Sequence, residues 1–241
     1  MSVIWNGVTK AAVTRLAGLR RRRETAQARR ETEAAMPELL AAYGGFARGQ
    51  QSGSVRQPFK GWDLWRIVED ARPRFIAEMG SGTTSAVFAL HALRTGGRYV
   101  CYEHSADWAK VTRDCLAEAG LTGEGIDIRT VEMREDPARP ATGFVEPIPT
   151  EVDFVYVDGP PCPTRDGVKW PNDDVVRLLE LGGRPSTIVI DGRVETVDLI
   201  RRHAAAKDYR VDASFVYALR RGTLSDALGF REHSRLRLTG R

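Results

Sequence analysis

The chain has few cysteines and no long apolar segment. Cys101, Cys115 and Cys162 are an odd number at spacings that match neither a zinc site nor a disulfide framework, so we expect free thiols. No apolar run approaches the roughly 18 residues that span a bilayer, and the N-terminus lacks the apolar region of a signal peptide. We therefore expect a cytoplasmic protein.

The chain is also too short for two domains of ordinary size. Its 241 residues suffice for one α/β domain with a sizeable core and an accessory segment. We expect residues 61–241 to form this domain and residues 1–60 to form a basic helical arm followed by a linker. No internal repeat is present.

Positive charge is concentrated in the arm. Residues 1–35 carry eight Lys or Arg against three Glu, whereas the whole chain has a net charge of +4. Apolar residues from Ile4 to Leu19 recur at intervals of three and four, which predicts an amphipathic helix. Such a helix suits packing on the domain, a second subunit in a homo-oligomer, or an anionic membrane surface. Nucleic acid is not favoured, because no nucleic-acid-binding motif is present and few aromatic residues stand among the arginines.

A glycine-containing turn lies between an apolar strand and a helix in the stretch 74–90, RFIAEMGSGTTSAVFAL. Gly80 and Gly82 permit a tight turn and let a ligand lie against the backbone. Free N–H groups at the start of the following helix can hold a carboxylate or a phosphate. A dinucleotide fingerprint requires a third glycine where this chain has Ser85, so a pyrophosphate-binding turn is a poorer match.

Strands alternate with helices along most of the sequence. Five strands are predicted at 74–78, 98–103, 126–131, 152–157 and 187–190, and two closing strands at 209–220 and 234–238. Helices are predicted at 62–68, 84–95, 107–119, 172–181 and 195–206. Composition predicts a linker or mobile loop at 44–61 and a proline-rich loop at 137–149. The alternation is typical of an α/β fold, a Rossmann-like doubly wound sheet of seven strands with an N-terminal helical extension.

Four of the predicted strands end in an acidic residue, namely Glu78, Glu103, Asp158 and Asp191. The carboxyl ends of the strands in an open parallel sheet meet at the edge where ligands bind. Glu103 follows the glycine turn by roughly 20 residues, the position at which a carboxylate accepts ribose hydroxyls. We therefore expect a ligand with a ribose at this edge.

The order Glu-x-Gly-x-Gly, with a second acid ending the next strand, resembles the first motif of class I S-adenosylmethionine-dependent methyltransferases. The stretches VDFVYVDGPPCPTRDG and IVIDGRVE are similar to the branch that O-methylates sugars and glycans, including plant enzymes acting on the glucuronic acid of xylan. The matching positions are Glu78–Ser85, Asp158–Pro160, Arg165, Asp191 and Arg193. The resemblance covers roughly residues 62–206. It implies an enzyme that transfers a methyl group from S-adenosylmethionine to a hydroxyl of a sugar, glycan or other small acceptor.

The resemblance also assigns residues to the cofactor. Glu78 would approach the amino group of the methionine moiety or bond backbone N–H groups of the turn, and Glu103 would hold the ribose. His104 or Trp108 would lie near the adenine, together with Glu132 and Met133. The full expected set is Glu78, Gly80, Ser81, Gly82, Thr83, Ser85, Glu103, His104, Glu132, Met133 and Asp158.

The catalytic candidates are Asp158, Asp191 and Arg193. Asp158 follows the fourth strand, whose end faces the methyl group in this fold, and a carboxylate there can take the proton of an acceptor hydroxyl. Arg165, Lys169 and Arg193 are expected either to bind an anionic acceptor such as a uronate or to pair with nearby aspartates.

Other functions stay open at this stage. Catechol-type methyltransferases bind Mg²⁺ through an Asp after strand four and an Asp-Asn pair after strand five. Asp158 and Asp191 match but Gly192 replaces the Asn, so Mg²⁺ is possible but not favoured. A nicotinamide-dependent oxidoreductase is suggested by Glu103 and opposed by Ser85. A non-catalytic binding or scaffold protein on the same fold is a third possibility.

Overall fold

The structure is a computed structural model and describes residues 7–48, 58–221, 227 and 231–239. Its helices are α1 (Gly7–Ala35), α2 (Pro37–Arg48), α3 (Pro58–Ala71), α4 (Thr83–Thr95), α5 (Ala106–Glu118), α6 (Asp174–Glu180), α7 (Val194–Arg202) and α8 (Phe215–Arg221), with a 3₁₀ helix at Ala204–Asp208. Its strands are β1 (Phe75–Met79), β2 (Arg98–Glu103), β3 (Ile126–Thr130), β4 (Met133–Asp136), β5 (Ala141–Phe144), β6 (Phe154–Val157), β7 (Thr164–Arg165), β8 (Val168–Lys169), β9 (Thr187–Asp191), β10 (Tyr209–Asp212) and β11 (His233–Leu238).

Seven strands form one sheet in the order β10-β11-β9-β6-β1-β2-β3. β1 pairs in parallel with both β2 and β6, and β11 is antiparallel to its neighbours β9 and β10. The chain order reverses at β1, so a crevice opens beyond the carboxyl ends of β1, β2, β6 and β9. The predicted Rossmann-like doubly wound sheet of seven strands is confirmed. The remaining strands form the small hairpins β4–β5 and β7–β8.

The central strands are buried because helices cover both faces of the sheet. Every residue of β1 and β6 is buried, as their nearly continuous apolar sequences predict for central parallel strands. Side chains alternate between the two faces. One face packs on α6 and α7 through Val175 and Val197, and the other packs on α2, α3 and α4 through Leu39, Leu64 and Val87.

The N-terminal segment is helical and partly joined to the core. Met36 and Leu39 lie in the same core cluster as α4, although the division of the chain at residue 60 stays a prediction. In α1, Val13 and Ala17 pack in a cluster with α8, whereas Leu16 and Leu19 are 54% and 56% exposed. Of the apolar residues expected to form one face, Ala11, Ala12, Leu16 and Leu19 are exposed, so α1 packs through other positions than predicted, and Ile4 lies outside the described residues. No helix within the described ranges is long and apolar enough to cross a membrane.

Two segments predicted to be irregular contain regular secondary structure. The linker predicted at 44–61 is shorter, because α2 continues to Arg48 and α3 begins at Pro58. Gly45 allows α2 to approach α5, since a Cβ there would lie 3.1 Å from the Cys115 sulfur. The proline-rich loop contains β5, which pairs with β4.

The strand predicted at 209–220 is wrong beyond Asp212. Phe215–Arg221 is a helix, although its aromatic and β-branched residues favour a strand. The hydroxyl of Ser214 accepts a hydrogen bond from the Tyr217 N–H at 3.2 Å, which caps the start of this helix. Local capping and packing therefore outweigh strand propensity here.

The ends of β1 and β6 touch backbone to backbone. A Cβ on Gly80 would lie 2.6 Å from the Gly159 Cα, and a Cβ on Gly159 would lie 2.4 Å from the Gly80 Cα. Gly80 also has φ +90°, a conformation that favours glycine. The Asp158 N–H donates to the Met79 carbonyl at 2.9 Å. The loops that follow the two strands are thus held against each other.

Replacing Gly159 tests this close approach. Gly159→Ala should lower the free energy of unfolding by about 2 kcal/mol or more, because the new methyl group meets backbone that cannot move aside. Gly18→Ala, on α1 with no neighbour within 4 Å, should be neutral or stabilise by up to about 1 kcal/mol. Denaturant unfolding measures both changes. Equal midpoints for Gly159→Ala and wild type would contradict the contact.

Candidate active site

Glu78 braces the glycine turn from beneath. Its carboxylate is 0% exposed and accepts hydrogen bonds from the hydroxyls of Ser85 at 2.7 Å, Thr84 at 2.5 Å and Tyr99. Burial raises the pKa of Glu78 to about 7, while these hydroxyls act in the opposite direction. Glu78 is therefore placed as a support of the turn, through hydroxyls instead of the backbone N–H groups considered above.

Ser85 closes the turn where a dinucleotide fingerprint has glycine. Its hydroxyl donates to Glu78 and accepts from the Gly82 N–H at 3.0 Å. Helix α4 begins at the next residue, Thr83, so its first turn opens toward the crevice. This hydroxyl gives the turn a fixed shape that a glycine at the same position could not give.

Glu103 links the end of β2 to the same turn. One carboxylate oxygen accepts from the backbone N–H of Ser81 at 2.9 Å and from its hydroxyl at 3.1 Å. The other accepts from the Ser105 N–H at 2.9 Å and lies 2.9 Å from His104 Nδ1. The Trp108 indole donates to the Ser81 carbonyl at 2.6 Å. The Glu103 carboxylate thus accepts three hydrogen bonds from Ser81 and Ser105.

Two adjoining recesses open beside the turn, with volumes of about 160 and 210 Å³. Ser81, Trp108 and Asp158 line both, so the two recesses adjoin, and together they have about the volume that small ligands occupy. The first is lined further by Tyr43, Lys60, Gly61, Gly82, Thr83, Thr84, Tyr156 and Asp191. The second is lined further by Gly80, Glu103, His104, Ser105, Gly159, Pro160, Pro161 and Arg193.

Two expected cofactor residues lie away from these recesses. Met133 pairs with Phe144 in the β4–β5 hairpin, and the Glu132 carbonyl accepts from the Val145 N–H at 2.9 Å. Neither Glu132 nor Met133 is among the described residues that line the site. Backbone pairing of the unpredicted hairpin accounts for their placement.

Asp158 is the carboxylate most open to the site. Its side chain is 46% exposed and lies at the end of β6, between the two recesses. The surrounding walls and the negative charge of Asp191 raise the pKa of Asp158 to about 6, while Arg193 and Lys60 act in the opposite direction. A carboxyl with this pKa is ionised at neutral pH and still basic enough to accept a proton.

Arg193 holds the loop that carries Asp158. Its guanidinium donates to the backbone carbonyls of Asp158 and Pro160, the latter at 2.7 Å, and lies 3.0 Å from the Cys162 sulfur. One nitrogen lies 3.6 Å from an Asp158 carboxylate oxygen. Most of the hydrogen-bond donors of the guanidinium are thus directed at acceptors of the protein itself. Cys101, Cys115 and Cys162 form no disulfide bonds, in line with the expectation from their spacing.

Arg165 and Lys169 lie on the exposed β7–β8 hairpin and do not line either recess among the described residues. Arg165 pairs with Glu135 at 2.8 Å, and Lys169 lies 4.0 Å from Glu195. Their partners are glutamates and not the aspartates considered above. Binding of an anionic acceptor by this hairpin stays a prediction.

Two residues that shape the site, Lys60 and Tyr43, were not predicted from the sequence. Lys60 Nζ lies 3.2 and 3.1 Å from the two carboxylate oxygens of Asp191. The Tyr43 ring lies against Gly61, where a Cβ would come within 2.0 Å of the hydroxyl. Both contacts join segments far apart in sequence, so no local pattern could have indicated them.

The raised pKa of Asp158 predicts a specific pH dependence of stability. Since the folded state holds this proton more tightly than the unfolded chain, the stability that Asp158 confers falls as the pH rises from about 4 to about 6. Asp158→Asn should therefore gain stability relative to wild type across this window. Thermal unfolding from pH 4 to pH 8 measures the gain, with Asp166→Asn on the β7–β8 turn as a control. A constant difference across the window would contradict the raised pKa.

The comparisons with known proteins bear on the fold. Neither a protein-family model nor the sequence of a curated protein matches the chain. A solved structure from Klebsiella pneumoniae, assigned only provisionally as an O-methyltransferase, is 15% identical, covers 91% of this chain and 99% of its own, and has a TM-score of 0.57. The O-methyltransferase from Bacillus cereus in complex with S-adenosylhomocysteine is 15% identical, with coverages of 90% and 98% and a TM-score of 0.55. The chain therefore has the Rossmann-like fold of the class I methyltransferases.

Proposed function

We propose that the protein is an S-adenosylmethionine-dependent O-methyltransferase that acts on a hydroxyl of a sugar, a glycan or a similar small acceptor. One observation carries this proposal. The two adjoining recesses bring the glycine turn, the start of α4 and Glu103 together with the half-exposed carboxylate of Asp158. The Bacillus cereus O-methyltransferase, bound to S-adenosylhomocysteine, has the same fold.

The first turn of α4, Gly82 and Glu103 form surroundings that suit S-adenosylmethionine. The N-terminal turn of α4 favours a carboxylate, such as that of the methionine moiety, through its N–H groups and the helix dipole. Gly82 leaves a narrow gap beside Trp108, since a Cβ there would lie 3.7 Å from the indole ring. Ribose hydroxyls can displace the Ser81 hydroxyl and the His104 ring from Glu103, because both side chains can rotate. When bound, the cofactor supplies a methyl group on a positively charged sulfur.

Asp158 is the group placed to take the proton. The acceptor oxygen forms a bond to the methyl carbon as the carbon–sulfur bond breaks, and the hydroxyl proton passes to the Asp158 carboxylate. The products are a methyl ether and S-adenosylhomocysteine. Such an in-line displacement depends on the relative positions of the reacting atoms, and the loop carrying Asp158 is fixed to the turn by the Gly80–Gly159 contact.

A polyhydroxylated acceptor suits the charged residues of the first recess. Lys60, Asp158 and Asp191 line this recess together with Tyr43 and the first turn of α4. Their charged groups can pair with several hydroxyls at once, because carboxylates accept and an ammonium donates hydrogen bonds. The likeness of the Asp158 and Asp191 segments to glycan O-methyltransferases supports a sugar over a purely apolar acceptor. The exposed β7–β8 hairpin with Arg165 and Lys169 would lie near an anionic unit such as a uronate.

Cofactor binding can be tested without knowing the acceptor. Isothermal titration calorimetry should detect binding of S-adenosylhomocysteine to wild type and no heat with NAD. Gly82→Arg should abolish binding, because the new side chain enters the recess beside Trp108. Gly18→Arg, on an open face of α1, is the matched control and should bind as wild type does. Absence of heat with both S-adenosylmethionine and S-adenosylhomocysteine would refute the proposal.

The role of Asp158 requires a turnover assay. Transfer of a labelled methyl group from S-adenosylmethionine to oligosaccharides bearing glucuronate should fall about 100-fold or more in Asp158→Asn, because the base is lost. The affinity for S-adenosylhomocysteine should change by less than about twofold, since Asp158 is only one wall of that site. An undiminished rate would remove Asp158 from the mechanism.

A further inference from the structure

The carboxylates of Asp158 and Asp191 stand where catechol-type methyltransferases hold a divalent cation, yet protein cations already lie against both. Lys60 Nζ is within hydrogen-bond distance of both Asp191 oxygens, at 3.1 and 3.2 Å. An Arg193 nitrogen lies 3.6 Å from Asp158. Each carboxylate therefore has a nearby positive charge supplied by the chain.

The residues present do not suit a divalent metal. Mg²⁺ prefers six oxygen ligands in a nearly octahedral arrangement, and Gly192 offers no side-chain oxygen where a third ligand would be expected. Within the described ranges, no group of three or more His, Cys, Asp or Glu side chains could hold a metal ion. The Lys60 ammonium would also repel a cation approaching Asp191.

Lys60 is held in place by the helix that carries it. Three residues along α3, Asp63 lies 3.0 Å from Nδ1 of the buried His233. His233 is the register partner of Asp191 across β11 and β9. Two charged residues of α3, spaced by about one helical turn, thus contact two neighbouring positions at the edge of the sheet.

A third link continues along the same helix. Asp70 of α3 accepts a hydrogen bond at 2.9 Å from Arg235, two residues after His233 on β11. The Lys60 side chain is only 25% exposed. It is therefore fixed at the recess, in contrast to a lysine that moves freely in solvent.

We propose that Lys60 is a catalytic residue of the acceptor site, whose ammonium contacts and orients the acceptor hydroxyl beside Asp158 in place of a divalent metal. The inference rests on the proposed methyltransferase function. An ammonium has three N–H donors, of which Asp191 takes two and leaves one for the acceptor oxygen. The positive charge stabilises the oxygen as its proton passes to Asp158, and Lys60 keeps its own protons throughout.

The first test measures metal binding by the protein and the metal dependence of its methyl transfer. Wild-type protein freed of metals with EDTA should show no binding of Mn²⁺ up to about 1 mM by electron paramagnetic resonance. Its methyl transfer to glucuronate-bearing oligosaccharides should be the same with EDTA as with added Mg²⁺. Tight Mn²⁺ binding that Asp191→Asn abolishes, or a requirement for Mg²⁺, would overturn the inference.

The second test removes the ammonium. Lys60→Met keeps the length of the side chain and should lower methyl transfer about 100-fold or more, with the affinity for S-adenosylhomocysteine within about twofold of wild type. Lys60→Arg should recover part of the rate, because it restores a charged donor. Lys110→Met, which removes an exposed lysine paired with Asp114, is the matched control and should keep full activity. A wild-type rate for Lys60→Met would overturn the inference.

The two proposals fail in different ways. If wild-type protein binds no S-adenosylhomocysteine, the methyltransferase function itself fails. If it binds this ligand and transfers the methyl group only when Mg²⁺ is present, the function stands and the role given to Lys60 fails.

Discussion

The contact between Gly80 and Gly159 is the constraint on which the site depends. It joins the turn after β1 to the loop after β6 at a distance that permits no side chain on either residue. The Asn172 amide donates to the Gly159 carbonyl at 3.2 Å, and Arg193 donates to the carbonyls on either side. Because the two loops are fixed to each other, the side chain of Asp158 has a defined position relative to the glycine turn.

The acidic residues at the sheet edge divide into supports and reactive groups. Glu78 is fully buried beneath the turn, and Glu103 is 3% exposed and accepts three hydrogen bonds from Ser81 and Ser105. Asp191 is paired with Lys60. Among the acids at the ends of these four strands, Asp158 has the most exposed side chain, at 46%, and it faces the recess. Burial and pairing, which a sequence does not display, separate these roles among four residues with the same placement.

The sequence contained enough to predict the sheet and much of the site wall. The apolar runs of β1 and β6 and the glycine turn are local signals, and the strand-end acids follow from the general geometry of parallel sheets. Two predictions failed for different reasons. Gly45 was predicted to lie in a linker, but α2 continues through it and packs on the distant Cys115. The residues of α8 favour a strand, but the adjacent Ser214 caps a helix there.

The contacts that α3 makes with the sheet edge were the part of the site least predictable from the sequence. Lys60 lies at the end of a predicted linker. Its spacing of three residues from Asp63 matters only because α3 places the two side chains beside β9 and β11. Long-range ionic contacts of this kind leave no periodic pattern. The arm sequence likewise predicted a helix correctly, but not that Leu16 and Leu19 would stay exposed.

A crystal structure of the protein soaked with S-adenosylhomocysteine would test the central claim most directly. The account predicts density for the ligand across the two adjoining recesses, with its ribose at Glu103, its carboxylate at the first turn of α4 and its sulfur toward Asp158. Density elsewhere on the molecule, or a sulfur atom turned away from Asp158, would contradict it.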